Sequence, residues 1–167
     1  MPKPRKPFTK SHFKWDRELK KGDVETYLSQ DDKNIRVSKG EAVISRNMDQ
    51  LLSVITDPVI RLKWAGHLAT SELIEGCGDF RVFRIVEKKK KASMVAPREK
   101  VFVTKVFTLD DGSKVVLGRS VEHESCPEKK KESVRAFVHL IAWVLTPDKK
   151  DPEKTKAAYI LYVNPKG

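Results

Sequence analysis

The chain has 167 residues, of which 39% are apolar and 34% charged, and its 34 lysines and arginines outnumber its 23 acids to leave a formal charge of +11. That size suits one domain with a core of its own and not two. Cys77 and Cys126 have no cysteine or histidine at metal-ligand spacing and are too few for a disulfide framework, so both are expected to be reduced, in a cytoplasmic protein without metal or cofactor. No apolar run approaches the roughly 18 residues of a membrane span, and residues 1–21 hold no apolar segment of the secretory-signal kind.

The basic residues are unevenly placed. Residues 1–21 carry eight lysines or arginines against two acids, and Pro2, Pro4 and Pro7 forbid a regular helix at the start. Residues 1–12 are therefore read as a basic tail and residues 13–167 as the folded domain. Further runs stand at Lys88–Lys91 and Lys129–Lys131, where the strand pattern lapses. Such runs serve as solvated turns, as attraction to an anionic membrane worth about 1 kcal/mol per basic residue near the lipid, or as contacts to nucleic acid.

In chain order, residues 13–19 and 24–29 predict short strands around a turn at Lys21-Gly22-Asp23, and residues 35–45 a longer strand with charged residues suited to an edge. Asn47 reads as an N-cap with Gln50 three residues on, and Met48, Leu51, Leu52 and Ile55 recur at helical spacing. Asp57-Pro58 opens a second helix, expected to end near Gly66. Strands then follow over residues 71–75, 80–87, 99–109, 114–122, 133–145 and 156–163, with turns at Gly76-Cys77-Gly78-Asp79 and Asp110-Asp111-Gly112.

Alternation gives each strand two faces. On the longest, Val134, Ala136, Val138, Leu140, Ala142 and Val144 share one side, and Arg135, Phe137, His139, Ile141 and Trp143 the other. In the strand before it, Arg119 shares a face with Val115, Leu117 and Val121, which makes it either a ligand contact or the partner of a carboxylate such as Glu122, Glu124 or Glu41. Tyr159 and Tyr162 alternate, so only one of them faces inward.

Trp64 after a short helix, Val95-Ala96-Pro97-Arg98-Glu99, Ser120-Val121-Glu122-His123 with Pro127, Val134-Arg135-Ala136, Thr155 and the closing residues 159–167 occur in an order that resembles the StAR-related lipid transfer (START) family. The likeness runs from about Trp15 to Gly167, and the Pro97-Arg98-Glu99 and Val134-Arg135-Ala136 triplets are its most specific pieces. It implies an α+β helix-grip fold, in which a curved antiparallel sheet of about nine strands encloses one lipid and a long C-terminal helix closes the hollow. The chain ends about where that helix would begin, so it is expected to be either a fragment or a relative without it, with self-association through the uncovered hollow as a consequence.

The resemblance also implies a site. Family members that bind phospholipid resemble this chain in carrying an arginine three residues before the tryptophan, here Arg61, where it meets the phosphate; the alternative is an Arg61 that faces water. A guanidinium suits phosphate because it binds two oxygens at once. The acid usual after the tryptophan is replaced by Ala65, which removes an expected contact to a choline-like cation. Arg61 and Arg119 are the candidates for the polar end, and Trp64, Val115, Leu117, Phe137, His139, Trp143 and Tyr159 for the wall. Lys3, Arg5, Lys6, Lys88, Lys89, Lys90, Lys91, Lys129, Lys130 and Lys131 are the candidates for docking on an anionic membrane.

A Gly-rich phosphate loop, a nucleophile elbow and a paired acid cluster are all missing, and His12, His67 and His123 are scattered, so no catalytic residue is expected. The reading is a lipid carrier that is cytoplasmic and transiently membrane-associated, with phospholipid as the favoured cargo and sterol or ceramide as alternatives. Its rivals are a non-transporting domain that holds a protein partner or membrane on its basic surface and, less favoured, a nucleic-acid binder with aromatics interleaved among cations on a sheet face. No nucleic acid is expected as a partner.

Overall fold

The computed structural model describes residues 14–89, 94–129 and 131–166, apart from the side chains of positions 17 and 18. Local signals set the first elements. β1 (Asp16–Lys21) and β2 (Val24–Gln30) turn at Gly22, whose φ of +59° is left-handed and strains any residue with a Cβ. β3 (Arg36–Ile44) leads to α1 (Met48–Thr56), opened by Asn47, whose side chain accepts from the Gln50 amide at 3.0 Å.

Asp57 ends α1 and starts α2 (Pro58–Trp64). One carboxylate oxygen accepts from the amides of Val59 at 2.7 Å and Ile60 at 2.9 Å, and proline fills the first turn, where no N–H is needed. Replacing that cap, Asp57→Ala, is expected to lower the unfolding free energy by about 1 kcal/mol. Urea denaturation measures it, and an unchanged midpoint would contradict the capping role.

β4 (Leu68–Cys77), β5 (Phe80–Glu87), β6 (Arg98–Thr108), β7 (Lys114–Ser120), β8 (Val134–Arg135), β9 (Phe137–Pro147) and β10 (Thr155–Asn164) complete one sheet in the order β1-β2-β3-β10-β9-β7-β6-β5-β4. The pairing along that path is antiparallel, as expected of a helix-grip fold, while β8 adds a short parallel pairing to β6. The single strand expected over residues 133–145 is therefore two. Its second part also slips register: Leu140 opposes Tyr162 and Val138 opposes Val163, so His139 is an extra residue in β9.

One face of the sheet carries both helices. Leu51 and Ile55 of α1 pack on Leu145 and Ala157, and beyond them Ala65 and Leu68 join Phe83, Ile85, Phe102, Val138 and Ile141. Across this face the register lines up Thr104, Gly118, Ile141, Leu161 and Ser38 in one row and Val116, Trp143, Tyr159 and Gly40 in the next. Gly118 has a steric reason, since a Cβ there would lie 3.1 Å from the Thr104 methyl and 3.3 Å from the Val103 carbonyl. These two helices are the only ones among the described residues.

Candidate functional site

The helix-bearing face is incompletely filled. A cavity of about 780 Å³ opens on it, with Ser38, Leu161, Val163 and Ala136 among its lining and Lys88 and Val95 beside its mouth. That volume lies in the upper part of the range for ligand sites, roughly 300–1,000 Å³. Lys100, only 8% exposed, and Glu87 also line it, and they pair with each other. Both occupy inward positions on β5 and β6, since Ile85 opposes Lys100 and Glu87 lies two residues beyond Ile85. These charges at positions in phase with Phe83 and Ile85 were the available sequence signal, and the reading above did not use it.

On the same face, toward the helices, stands an aromatic group. Trp143 stacks on Tyr159 at 4.4 Å and meets Trp64 edge-on at 6.4 Å. Trp64 is 48% exposed and its indole N–H donates to the Val54 carbonyl at 3.4 Å, so it sits at the rim and not deep between helix and sheet. Arg61 reaches inward from α2 and places its guanidinium 4.6 Å from the centre of the Phe83 ring. Its Nη2 donates to the Ile55 carbonyl at 2.9 Å, whereas Nη1 is buried with no hydrogen-bond partner among the described residues. Arg61 thus does not face water.

Burial acts on both ionisable groups here. It pushes the Tyr159 phenol up to about 12, against a smaller opposite pull from the Arg61 charge. It lowers Arg61 from the usual guanidinium value, and the nearby Tyr159 and Asp57 offset this in part. An arginine stays protonated in proteins, so the site holds a desolvated cation with one donor nitrogen unspent.

Four of the expected wall residues are not on this face. Val115, Leu117 and Arg119 oppose Phe107, Lys105 and Val103 on the far side of the sheet, and Val116 and Gly118 take the inward positions of β7. Arg119 is exposed and, among the described residues, makes none of the expected ion pairs with Glu122, Glu124 or Glu41. His139 stacks on Tyr162 at 4.3 Å and meets Phe137 at 4.8 Å, also on the far side, because the extra residue in β9 reverses the alternation between Phe137 and Ile141. Phe137 and His139 are thereby separated from Trp143, with which they were grouped. Of the two alternating tyrosines, Tyr159 faces the cavity side.

The basic candidates divide by position. Lys88 flanks the cavity mouth, where its ammonium donates to the Gly66 carbonyl at 2.8 Å, and Lys89 next to it is exposed. Lys129 and Lys131 are exposed on the loop before β8. Lys3, Arg5, Lys6, Lys90, Lys91 and Lys130 lie outside the described residues.

The two family triplets meet each other. Arg98 opposes Val134 and Glu99 opposes Arg135 across the parallel β6–β8 pair. Glu99, 1% exposed, accepts from Arg135 at 2.9 Å and from Arg84. The Arg98 guanidinium holds the carbonyls of Pro165 at 3.0 Å and Lys166 at 2.9 Å, which ties the end of β10 to the start of β6.

A curved antiparallel sheet thus carries two short helices over one face and a partly open cavity beyond them on the same face. The chain matches the START domain over residues 6–167 and belongs to that family. StAR-related lipid transfer protein 5 of Bos taurus is 28% identical over 120 residues, which cover 70% of this chain and 56% of that protein, so the chain spans little more than half of this relative's length. The human StAR-related lipid transfer protein 5 structure superposes with a TM-score of 0.82 at 21% identity, over 92% of this chain and 73% of the other. Human STARD10 gives 0.79 at 18% identity over 92% and 62%, and a STAR-related lipid transfer protein fragment from Xanthomonas axonopodis 0.77 at 20% over 92% and 83%. These likenesses establish the helix-grip fold.

Proposed function

We propose that this domain is a non-enzymatic lipid carrier that holds one lipid on the helix-bearing face of its sheet and moves it between membranes, with phospholipid as the favoured cargo. Burial of acyl chains drives binding, at about 0.8 kcal/mol per methylene removed from water. The polar end is selected by Arg61. The observation that carries the reading is its Nη1, a buried cationic donor with no partner among the described residues, on a guanidinium held over the Phe83 ring and near Tyr159. A phosphate would accept from it, and the pairing would recover the desolvation that burial imposes.

Lys88 at the cavity and the exposed Lys89 next to it, with Lys129, Lys131 and the lysines and arginine of the tail, supply attraction to an anionic bilayer. The protein works from the cytoplasm and binds the bilayer transiently. Among the described residues no helix is long and apolar enough to cross a membrane.

Arg61→Leu separates a ligand role from a structural one. Removing a buried, half-partnered charge is expected to leave the melting temperature unchanged or higher, while phospholipid uptake from vesicles falls about ten-fold or more, the worth of one charge-assisted hydrogen bond. Uptake equal to wild type, or native mass spectrometry that finds no lipid in either protein, would remove Arg61 from the site.

A further inference from the structure

α2 has two sides of opposite character. Residues two apart on a helix project about 200° from one another, so Val59 lies across the helix from Arg61, and Leu62 and Lys63 share the Val59 side. Arg61 is turned toward Phe83 and Tyr159, whereas Val59 is 65% and Leu62 37% exposed. The segment from Pro58 to Trp64 contains no acid, and Lys63 stands exposed beside the two aliphatic residues. α1 is different, because its exposed residues are Asp49, Gln50 and Ser53.

The C-terminal end of α2 adjoins the cavity mouth. The Lys88 amide donates to the His67 carbonyl and the Lys88 ammonium to the Gly66 carbonyl, both at 2.8 Å. Along the same loop Val95 is exposed and Met94 fully so. Exposed aliphatic side chains with cations among them and no acid match the boundary between anionic headgroups and acyl chains. Trp64, half exposed at the end of the helix, is a residue type enriched at that boundary.

We propose that the Val59–Leu62–Lys63 ridge of α2 is a bilayer-contact element: it enters the interfacial layer of an anionic membrane and so holds Arg61, on the reverse of the same helix, next to the headgroups from which the cargo is drawn. The proposal rests on the lipid-carrier reading and adds to it a second, apolar contact distinct from the basic loops. Docking and headgroup selection then share one seven-residue helix.

Co-sedimentation with phosphatidylcholine vesicles containing roughly 30% phosphatidylserine tests it. The Val59→Asp/Leu62→Asp double variant is expected to lose vesicle binding by about ten-fold or more, with melting temperature and lipid content by native mass spectrometry as in wild type. High salt weakens the wild type through its lysines but leaves a residual, salt-resistant fraction that the double variant lacks. Val59→Trp is expected to bind more tightly, which keeps the test decisive if the double variant unfolds. Wild-type binding by the double variant, or no gain from Val59→Trp, overturns the proposal. So does a wild type that sediments as a dimer and a double variant that is monomeric, since the ridge would then belong to a second copy. Loss of vesicle binding in a protein that never retains lipid supports the ridge and removes the carrier reading instead.

Discussion

Replacing Glu99 by alanine is expected to cost about 3–5 kcal/mol of stability, among the largest effects of any single substitution in this chain. The carboxylate is 1% exposed and bonded by two guanidinium groups, Arg135 at 2.9 Å and Arg84. Their side chains are only 17% and 24% exposed, so removing the acid leaves two poorly solvated cations facing each other. Arg84 keeps a second partner, Glu72 at 3.0 Å, but Glu72 is half exposed and its pairing is weakened by solvent. Among the described residues Arg135 then keeps only the Cys126 carbonyl, at 2.9 Å.

The same carboxylate sets an acid limit. Burial alone would raise its titration point, but the hydrogen bonds from Arg84 and Arg135 outweigh burial and hold it below the usual carboxylate range. A group depressed on folding stabilises the native state above its unfolded value, and that contribution is lost as pH falls through the folded one. Wild-type stability is thus expected to drop below about pH 4. Glu99→Gln should start lower at neutral pH and show a flatter profile on acidification. Denaturation midpoints across pH 2–7 measure both, and parallel curves for the two proteins would show that Glu99 carries no linked proton.

The second large effect is expected from Phe83→Ala, at about 3–5 kcal/mol, or roughly 10 °C or more in melting temperature. Phe83 is 1% exposed, packs against Phe102 with ring centres 5.9 Å apart, and lies under the Arg61 guanidinium at 4.6 Å. The substitution removes core volume and the aromatic surface that positions the cation. Phospholipid uptake should fall together with stability, whereas Phe83→Leu, which keeps most of the volume but not the ring, should recover most of the stability and little of the uptake. Equal recovery of both by leucine would mean that Phe83 serves packing alone.

Much of this architecture could be read locally. Asn47 and Asp57 cap helices through atoms two or three residues away, and Gly22, Gly78 and Gly112 take positive φ at the predicted turns, so a short window contained the whole cause. The two triplets were conspicuous in the sequence, yet their purpose was hidden. They lie far apart in the chain, and only the β6–β8 pairing shows that Glu99 and Arg135 form one buried network.

The faces were harder. β7 alternates cleanly, and the bulkier set, Val115 and Leu117, was the natural choice for the interior, but the inward positions went to Val116 and Gly118. A Cβ at Gly118 would crowd the Thr104 methyl and the Val103 carbonyl, so smallness, not hydrophobicity, marked the inner face there. In β9 an extra residue at His139 turned Phe137 and His139 away from Trp143, and alternation has no means of announcing such a slip.

Periodicity, capping and turn chemistry act over a few residues, and most of the strands, the two capped helices, the turns and the family were therefore legible in the chain. Which face took the helices and the cavity, and that Arg61 would be buried while Arg119 stood in solvent, emerged only once the chain was folded. Sidedness depends on pairing register and on the helices that cover one face, and both are set by contacts between residues remote in the chain.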